Sequence, residues 1–393
     1  MKKVLFAVTL FGCTDKDPPI TGTTSLEVTL VSPTDAGDVD HRLDATARNI
    51  VVNVQAKDAN GNNDATYSKT ISVYTHYLGT LTPYLDKAPL LPTFDVTNGV
   101  ASNVAITLPE VFGPTTVWFD DHRDDSATYA TGISPTLWYR DPFIADIQTP
   151  LDETALDAFQ DSPLENKNIT INQSRYGAEG KLVVTSTFAQ GYTVADVKCT
   201  NGMPPCVAQP YDYVEVFSFS APTYTGNDSE GNTTVVYLSE GQTIAGFAGG
   251  ISEFNGLTEI GFPQTFVGAD SVIDKTLEPA TVKIDSTWFT TNKINFERNE
   301  AGAIEIDNSV VCPLDDDYTT YKQWKIDPSG VGDAAACGGK NVINIITAGV
   351  VEIDPGTLVG KTVPRIVGIL RPVNIGSFNV WIIYPRSLAD ITT

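Results

Sequence analysis

Histidine is the side chain that most often ligates zinc or shuttles protons at neutral pH, and this chain has three: His41, His76 and His122. No two are close in sequence, and no H-E-x-x-H or other zinc spacing occurs. The patterns G-x-S-x-G, G-x-x-x-x-G-K-[ST], C-x-x-C and G-x-G-x-x-G do not occur either. Carboxylates are so plentiful that no pair stands out as an acid/base couple. The residue types point to binding rather than to catalysis, and the expectation is a non-enzyme without a cofactor.

Two kinds of binding chemistry are written in the chain. Hard oxygen ligands bunched on a loop suit Ca²⁺, and "DDHRDD" offers Asp120, Asp121, Asp124 and Asp125. A second acidic run, Asp315 to Asp317, offers less. The stretch "DANGNND" begins like a calcium loop at Asp58. However, Gly61 falls at the fourth place rather than the sixth, and Lys69 stands where a bidentate glutamate is required. It reads as a hairpin turn. The other chemistry is cationic and aromatic: Lys361, Arg365, Arg371 and Arg386 surround Trp381 and Tyr384, a candidate ligand patch. A further aromatic run, "YDYVEVFSF", places Tyr211, Tyr213, Glu215, Phe217 and Phe219 on one side of a strand. That alternation reads as core packing.

The elements that must position these groups are tied by cysteines. Apart from Cys13, four remain, and four allow three connectivities. Proximity favours Cys199–Cys206 around "TNGMPP" and Cys312–Cys337 around a longer polar loop. Closing such loops is worth about 2.5 and about 3.5 kcal/mol in the chain-entropy picture. Disulfides imply an oxidising compartment. The 48 acidic against 25 basic side chains give a charge of −23. That charge repels phosphate backbones and argues against broad nucleic-acid binding. No apolar run is long enough for a membrane-spanning helix.

Cys13 stands at the end of "MKKVLFAVTLFGC", a basic then apolar run with the layout of a secretory signal. Leu10-Phe11-Gly12-Cys13 resembles the lipobox of bacterial lipoproteins. The resemblance implies cleavage before Cys13 and its acylation, with residues 1–12 removed and 13–24 left as a polar tether. Thr14 after the cysteine resembles the outer-membrane sorting default. The implied partner is a membrane, through the lipid.

From Thr24 onward, short runs rich in Val, Ile, Thr, Tyr and Phe alternate with Gly, Pro, Asn and Asp. This predicts an all-β chain of sandwiches or barrels. Residues 25–147, with "NIVVNVQAKDANGN" answered by "TISVYTHYLG" and then "VTNGVA", resemble bacterial immunoglobulin-like domains of the invasin/intimin type. That implies an Ig-like β-sandwich serving as spacer or adhesion module. Residues 148–165 read as a linker, with "LDETALDAFQDSP" its best helical stretch. Beyond it an internal echo at a constant offset pairs Gly241 with Gly360, Ile244 with Val363 and Phe247 with Ile366. It then pairs Gly249 with Gly368, Ile251 with Leu370 and Asn255 with Asn374. The segment Gly241 to Ile260 resembles OB-fold-like barrels that accompany secreted bacterial nucleases as accessory modules. We therefore expect OB-like barrels at 166–275 and 276–393, or one larger barrel of two halves. The expected role is a cell-envelope component that binds, adheres or supports, with a protein or glycan partner. The alternative is an accessory module for a polymer.

Overall fold

The computed structural model describes residues 22–77, 91–109, 111–121, 130–150, 152, 159–227, 232–339, 341–349, 351–376 and 378–393. Cys13, the signal and tether up to residue 21, His122, Asp124, Asp125 and most of the helical stretch after Pro150 lie outside them. The chain is all-β and separates into two compact units, divided after Arg140.

The first unit is one eight-stranded sheet: β1 (Thr23–Ser32), β2 (Asn49–Asp58), β3 (Lys69–Tyr77), β4 (Leu91–Val96), β5 (Val100–Thr107), β6 (Pro114–Asp120), β7 (Thr131–Ile133) and β8 (Leu137–Trp138). Its order is β4-β3-β6-β7-β1-β2-β5, with β8 beside β6. The two end strands, β4 and β5, are consecutive in the chain and joined by the Thr97–Gly99 turn, so the sheet curls back on itself as a sandwich. Strict alternation on β2 sends Ile50, Val52, Val54 and Ala56 inward, all fully buried. One expectation is corrected here. The Asp58 turn does not join paired strands, because β2 pairs with β1 and β5, and β3 with β4 and β6. Asp58 Oδ1 accepts the backbone N–H of Asn60 and Asn62 at 2.9 and 2.8 Å, and the chain then crosses to the other end of the sheet.

The second unit holds β9 (Asn168–Ile171), β10 (Gly180–Phe188), β11 (Gly191–Cys199), β12 (Cys206–Val207), β13 (Tyr213–Phe217), β14 (Thr223–Asn227), β15 (Thr233–Tyr237), β16 (Thr243–Ile244), β17 (Gly246–Phe254) and β18 (Leu257–Phe266). There follow β19 (Val282–Lys283), β20 (Ala303–Val311), β21 (Gln323–Asp327), β22 (Ile343–Ile346), β23 (Thr362–Ile375), β24 (Phe378–Tyr384) and β25 (Ile391–Thr392). Strands β20, β21, β22, β24 and β23 form a closed ring, with the β22–β24 pair parallel and the rest antiparallel. The ring β10, β11, β13, β18 and β17 has the same pattern. Its parallel pair is β13–β18, and β16, one residue before β17, closes it onto β10. These are two OB-like five-stranded barrels of one topology.

The echo is this repeated fourth strand. Ile244, Phe247 and Ile251 are buried in the first barrel, as Val363, Ile366 and Leu370 are in the second. Gly241 and Gly360 both take positive φ, 76° and 74°, where an L side chain is strained. Gly249 and Gly368 answer a different need: each lies against the backbone of the neighbouring strand, and a Cβ on Gly368 would sit 2.6 Å from the Tyr384 carbonyl.

The expected 148–165 linker is also corrected. Ile144 and Ile147, on the helix α1 (Ile144–Gln148), are fully buried and Leu164 nearly so. Gln148 Nε2 donates to the Tyr213 carbonyl at 2.7 Å, and Ser162 Oγ to that of Ile147 at 2.7 Å. Residues 159–165 are therefore a strap packed on the second unit.

Both disulfides form as the loop pairing suggests, Cys199–Cys206 and Cys312–Cys337. Replacing Cys312 and Cys337 together by serine is expected to cost about 2–5 kcal/mol. Gly368→Ala is expected to cost about 1–3 kcal/mol by forcing β23 off β24. Urea denaturation of each variant, read as a shift in midpoint at unchanged slope, checks both.

Candidate binding cleft

The basic patch does not assemble as a surface. Strand side chains alternate, so Trp381 and Tyr384, three apart on β24, face opposite ways. Tyr384 lies beneath the Arg371 guanidinium, 4.9 Å from its ring centre, with Phe188 of the first barrel also under it at 4.4 Å. Arg371 Nε is 2.7 Å from Glu215 Oε2, and Glu215 is only 2% exposed on β13. Burial pushes the Glu215 carboxyl up to about 7, and Arg371 pulls against it. Arg386 reaches the Thr185 carbonyl of the first barrel at 3.0 Å, and also Glu278 and Asp390 at 3.2 Å each. These two arginines staple the barrels together. Arg365 is paired with Glu305 at 2.7 Å, and Lys361 is exposed.

Of "YDYVEVFSF", Tyr211 to Val216 are buried on both sides: Tyr213 and Glu215 meet the packing around α1 and Arg371, while Val214 and Val216 lie fully buried opposite; Phe219, expected in the core, is instead 55% exposed beyond the strand end. The acidic runs are engaged as well. Asp121 Oδ2 accepts from the Tyr67 hydroxyl at 3.2 Å and from the Ala130 N–H at 3.4 Å. Asp315 and Asp317 both hold Lys325, at 2.6 and 2.7 Å, so a lysine takes the place expected for a cation. Among the described residues no group of three His, Cys, Asp or Glu is arranged to hold a metal. His41 is exposed beside Asp38, 3.1 Å away.

A large concavity among the described residues lies where Trp381 points. It has a volume of about 800 Å³. Its walls carry Phe159, Trp288, Phe289, Phe296, Phe378 and Trp381. Trp381 stacks with Phe159 at 5.3 Å and with Phe296 at 5.5 Å, the planes 12° and 16° from parallel. Trp288 meets Phe296 edge-on at 5.2 Å. Phe159, Phe289 and Phe378 stay half-exposed and present ring surface to the opening.

The polar lining comes from defined parts of the barrel. Lys325 is on β21 and Asn344 on β22; Asp317 is on the helix α3 (Asp316–Tyr321) between β20 and β21; Asn374 and Asn379 flank the turn between β23 and β24. The Cys312–Cys337 bridge fastens the α3 side of this rim. Two buried atoms in the wall lack hydrogen-bond partners among the described residues: the donor Trp381 Nε1 and the acceptor Asn344 Oδ1. Trp381 is 8% exposed and Asn344 2%, so neither satisfies itself from bulk water.

Sequence reading found Trp381 but missed its companions. Phe159, Trp288, Phe289 and Phe296 are scattered through segments with no strand period, and only the fold gathers them. Arg371→Met is expected to destabilise the second unit by about 3–5 kcal/mol, since it leaves Glu215 buried without its cation. The double variant Arg371→Met/Glu215→Leu should recover much of that loss in a denaturation cycle.

No family model, no curated protein and no solved structure matches the chain.

Proposed function

We propose that the chain is a non-catalytic, lipid-anchored binding protein of the cell envelope, and that the cleft of its second barrel takes an oligosaccharide. The observation that carries this is the combination of half-exposed aromatic walls, Phe159, Phe289 and Phe378 around Trp381, with the accessible polar side chains Lys325, Asn374 and Asn379. A sugar ring offers an apolar C–H face to stack on aromatic rings. Its hydroxyls both donate and accept, which suits the ammonium and amide groups on the rim.

The position supports the same reading. In OB folds the face of the second and third strands, with the loops after the first and fourth strands, is where oligosaccharides and oligonucleotides bind. The cleft has Lys325 on the second strand and Asn344 on the third; Asp317 comes from the loop after the first strand, and Asn374 from the end of the fourth strand beside the other loop. Nucleic acid is disfavoured by the net charge of −23, and Arg365, Arg371 and Arg386 are spent on carboxylates. Among the described lining residues the one carboxylate, Asp317, is held by Lys325, which leaves no free acid/base pair for hydrolysis. The anchor is read from Leu10-Phe11-Gly12-Cys13, and two disulfides suit an oxidising envelope compartment.

Titration calorimetry with hexasaccharides of glucose, mannose and N-acetylglucosamine tests the cleft. At least one should bind, and Phe159→Ala and Phe378→Ala should each weaken it about ten-fold, or about 1.4 kcal/mol, with unchanged melting temperature. Binding of single-stranded DNA and of none of the sugars would overturn the reading. Separately, wild-type cells fed an alkyne fatty acid should label the chain and Cys13→Ala cells should not; equal labelling removes the anchor.

A further inference from the structure

Behind Phe159 and Phe296 the cleft wall rests on three acids. Glu253 is near the end of β17, Glu297 ends the helix α2 (Ile294–Glu297), and Glu300 follows in the next turn. Glu297 and Glu300 are 3% and 2% exposed. Each acid uses one oxygen. Glu253 Oε1 accepts the Ser162 N–H and the Thr258 hydroxyl, both at 2.7 Å. Glu300 Oε1 accepts the Thr258 N–H at 2.9 Å, and Glu297 accepts the Gln160 N–H. The other oxygen, Oε2 in all three, is buried with no hydrogen-bond partner among the described residues.

Two of these grips fall on the strap. Gln160 and Ser162 hang from Glu297 and Glu253, and between them they fix the chain that carries Phe159. Phe159 itself sits at φ 146°, where a residue with a side chain is strained. Its ring also packs 3.5 Å from where a Cβ on Gly256 would be, in the turn whose Asn255 carbonyl accepts the Asn374 N–H at 2.6 Å. The acids, the strained strap and the cleft rim are thus one contiguous assembly.

The charged groups that act on the trio are themselves acids. Asp161 and Glu165 come from the strap, Glu253 from the β17–β18 hairpin, and Glu297 and Glu300 from α2 and its turn. Arg298 neighbours Glu297 in sequence and bonds Asn295 Oδ1 at 3.4 Å. Lys293, at the start of α2, is exposed on the cleft rim. Glu259 on β18 faces Ser252 and Arg371 instead.

We propose that Glu253, Glu297 and Glu300 are positioning residues, a clasp held by protons that fixes the Phe159 strap over the cleft and loosens as the three acids ionise. The proposal rests on the cleft being the binding site. Burial raises all three carboxyls, Glu253 to about 7, Glu297 to about 8 and Glu300 well above the usual carboxylate range, where the acids Glu297 and Glu253 add to the effect of burial. The folded chain thus keeps protons that the unfolded chain gives up near the ordinary value of 4.5. The clasp's contribution is complete below that pH and is lost as pH rises through about 7 to 8.

Hydrogen exchange of the whole unliganded chain, corrected for intrinsic rates, reads the strap directly. Between pH 6 and pH 9 protection at residues 159–165 should fall about ten-fold or more, while β20 stays protected. In Glu297→Gln, which mimics the protonated acid, the fall should shrink. In parallel, oligosaccharide affinity of the wild type should weaken with the same midpoint. A flat wild-type exchange profile overturns the clasp without needing any variant to fold, and so does an unchanged fall in Glu297→Gln. A pH-dependent strap in a chain that binds none of the sugars keeps the clasp and overturns the reading of the cleft.

Discussion

The second unit depends on a cation that one barrel lends to the other. Arg371 leaves β23 to lie between Phe188 and Tyr384 and to meet Glu215, a carboxyl with almost no access to water. A buried ion pair adds little net stability over a well-packed apolar substitute, but half of one is costly. The arrangement therefore acts as a constraint on register. If the barrels slid past one another, Glu215 would lose its arginine, and Arg386 would lose the Thr185 carbonyl at the same time.

The cleft inherits its shape from that constraint. Its deep wall is β22 and β24 of the second barrel, but the support for its strap comes from the first. Ser162 and Thr258 share Glu253, and the Asn255–Gly256 turn lies against Asn374. Fixing the barrels fixes the distance between Phe159 and Trp381. The opposite rim is held covalently, through Cys312 and Cys337. A site gripped from three directions is preorganised, which lowers the ordering cost of binding.

Much of this was legible in the sequence, for reasons of period and proximity. Strand alternation, local cysteine pairs and the glycine-marked echo are short-range signals, and each found its place in the fold. The failures share a cause. Arg371 and Glu215 are far apart in the chain, and nothing local marks either as the other's partner. Hence a row of arginines reads as a free surface when each is already matched to a carboxylate. Asp315 and Asp317 read as calcium ligands because Lys325 stands on a different element. The separation of Trp381 from Tyr384 was available, since three residues along a strand reverse the face. The acids Glu297 and Glu300 sit in "ERNE", which looks solvated until the strap covers it. Asp58 shows the remaining limit: a turn motif fixes the bend of the chain but not which strand the next segment joins.

The two barrels share a topology but not their surroundings. In the second, the turn between the fourth and fifth strands borders an open cleft; in the first, the corresponding Asn255–Gly256 turn is pressed against its counterpart and carries load. A fold repeated within one chain begins with two equivalent faces, and selection need keep only one for recognition. On the proposed reading of the cleft, the first barrel serves as the mount on which the second is aligned. Changes that would ruin a ligand face can therefore accumulate in the first barrel as long as its edges still fit, so the two halves should drift at different rates and under different rules.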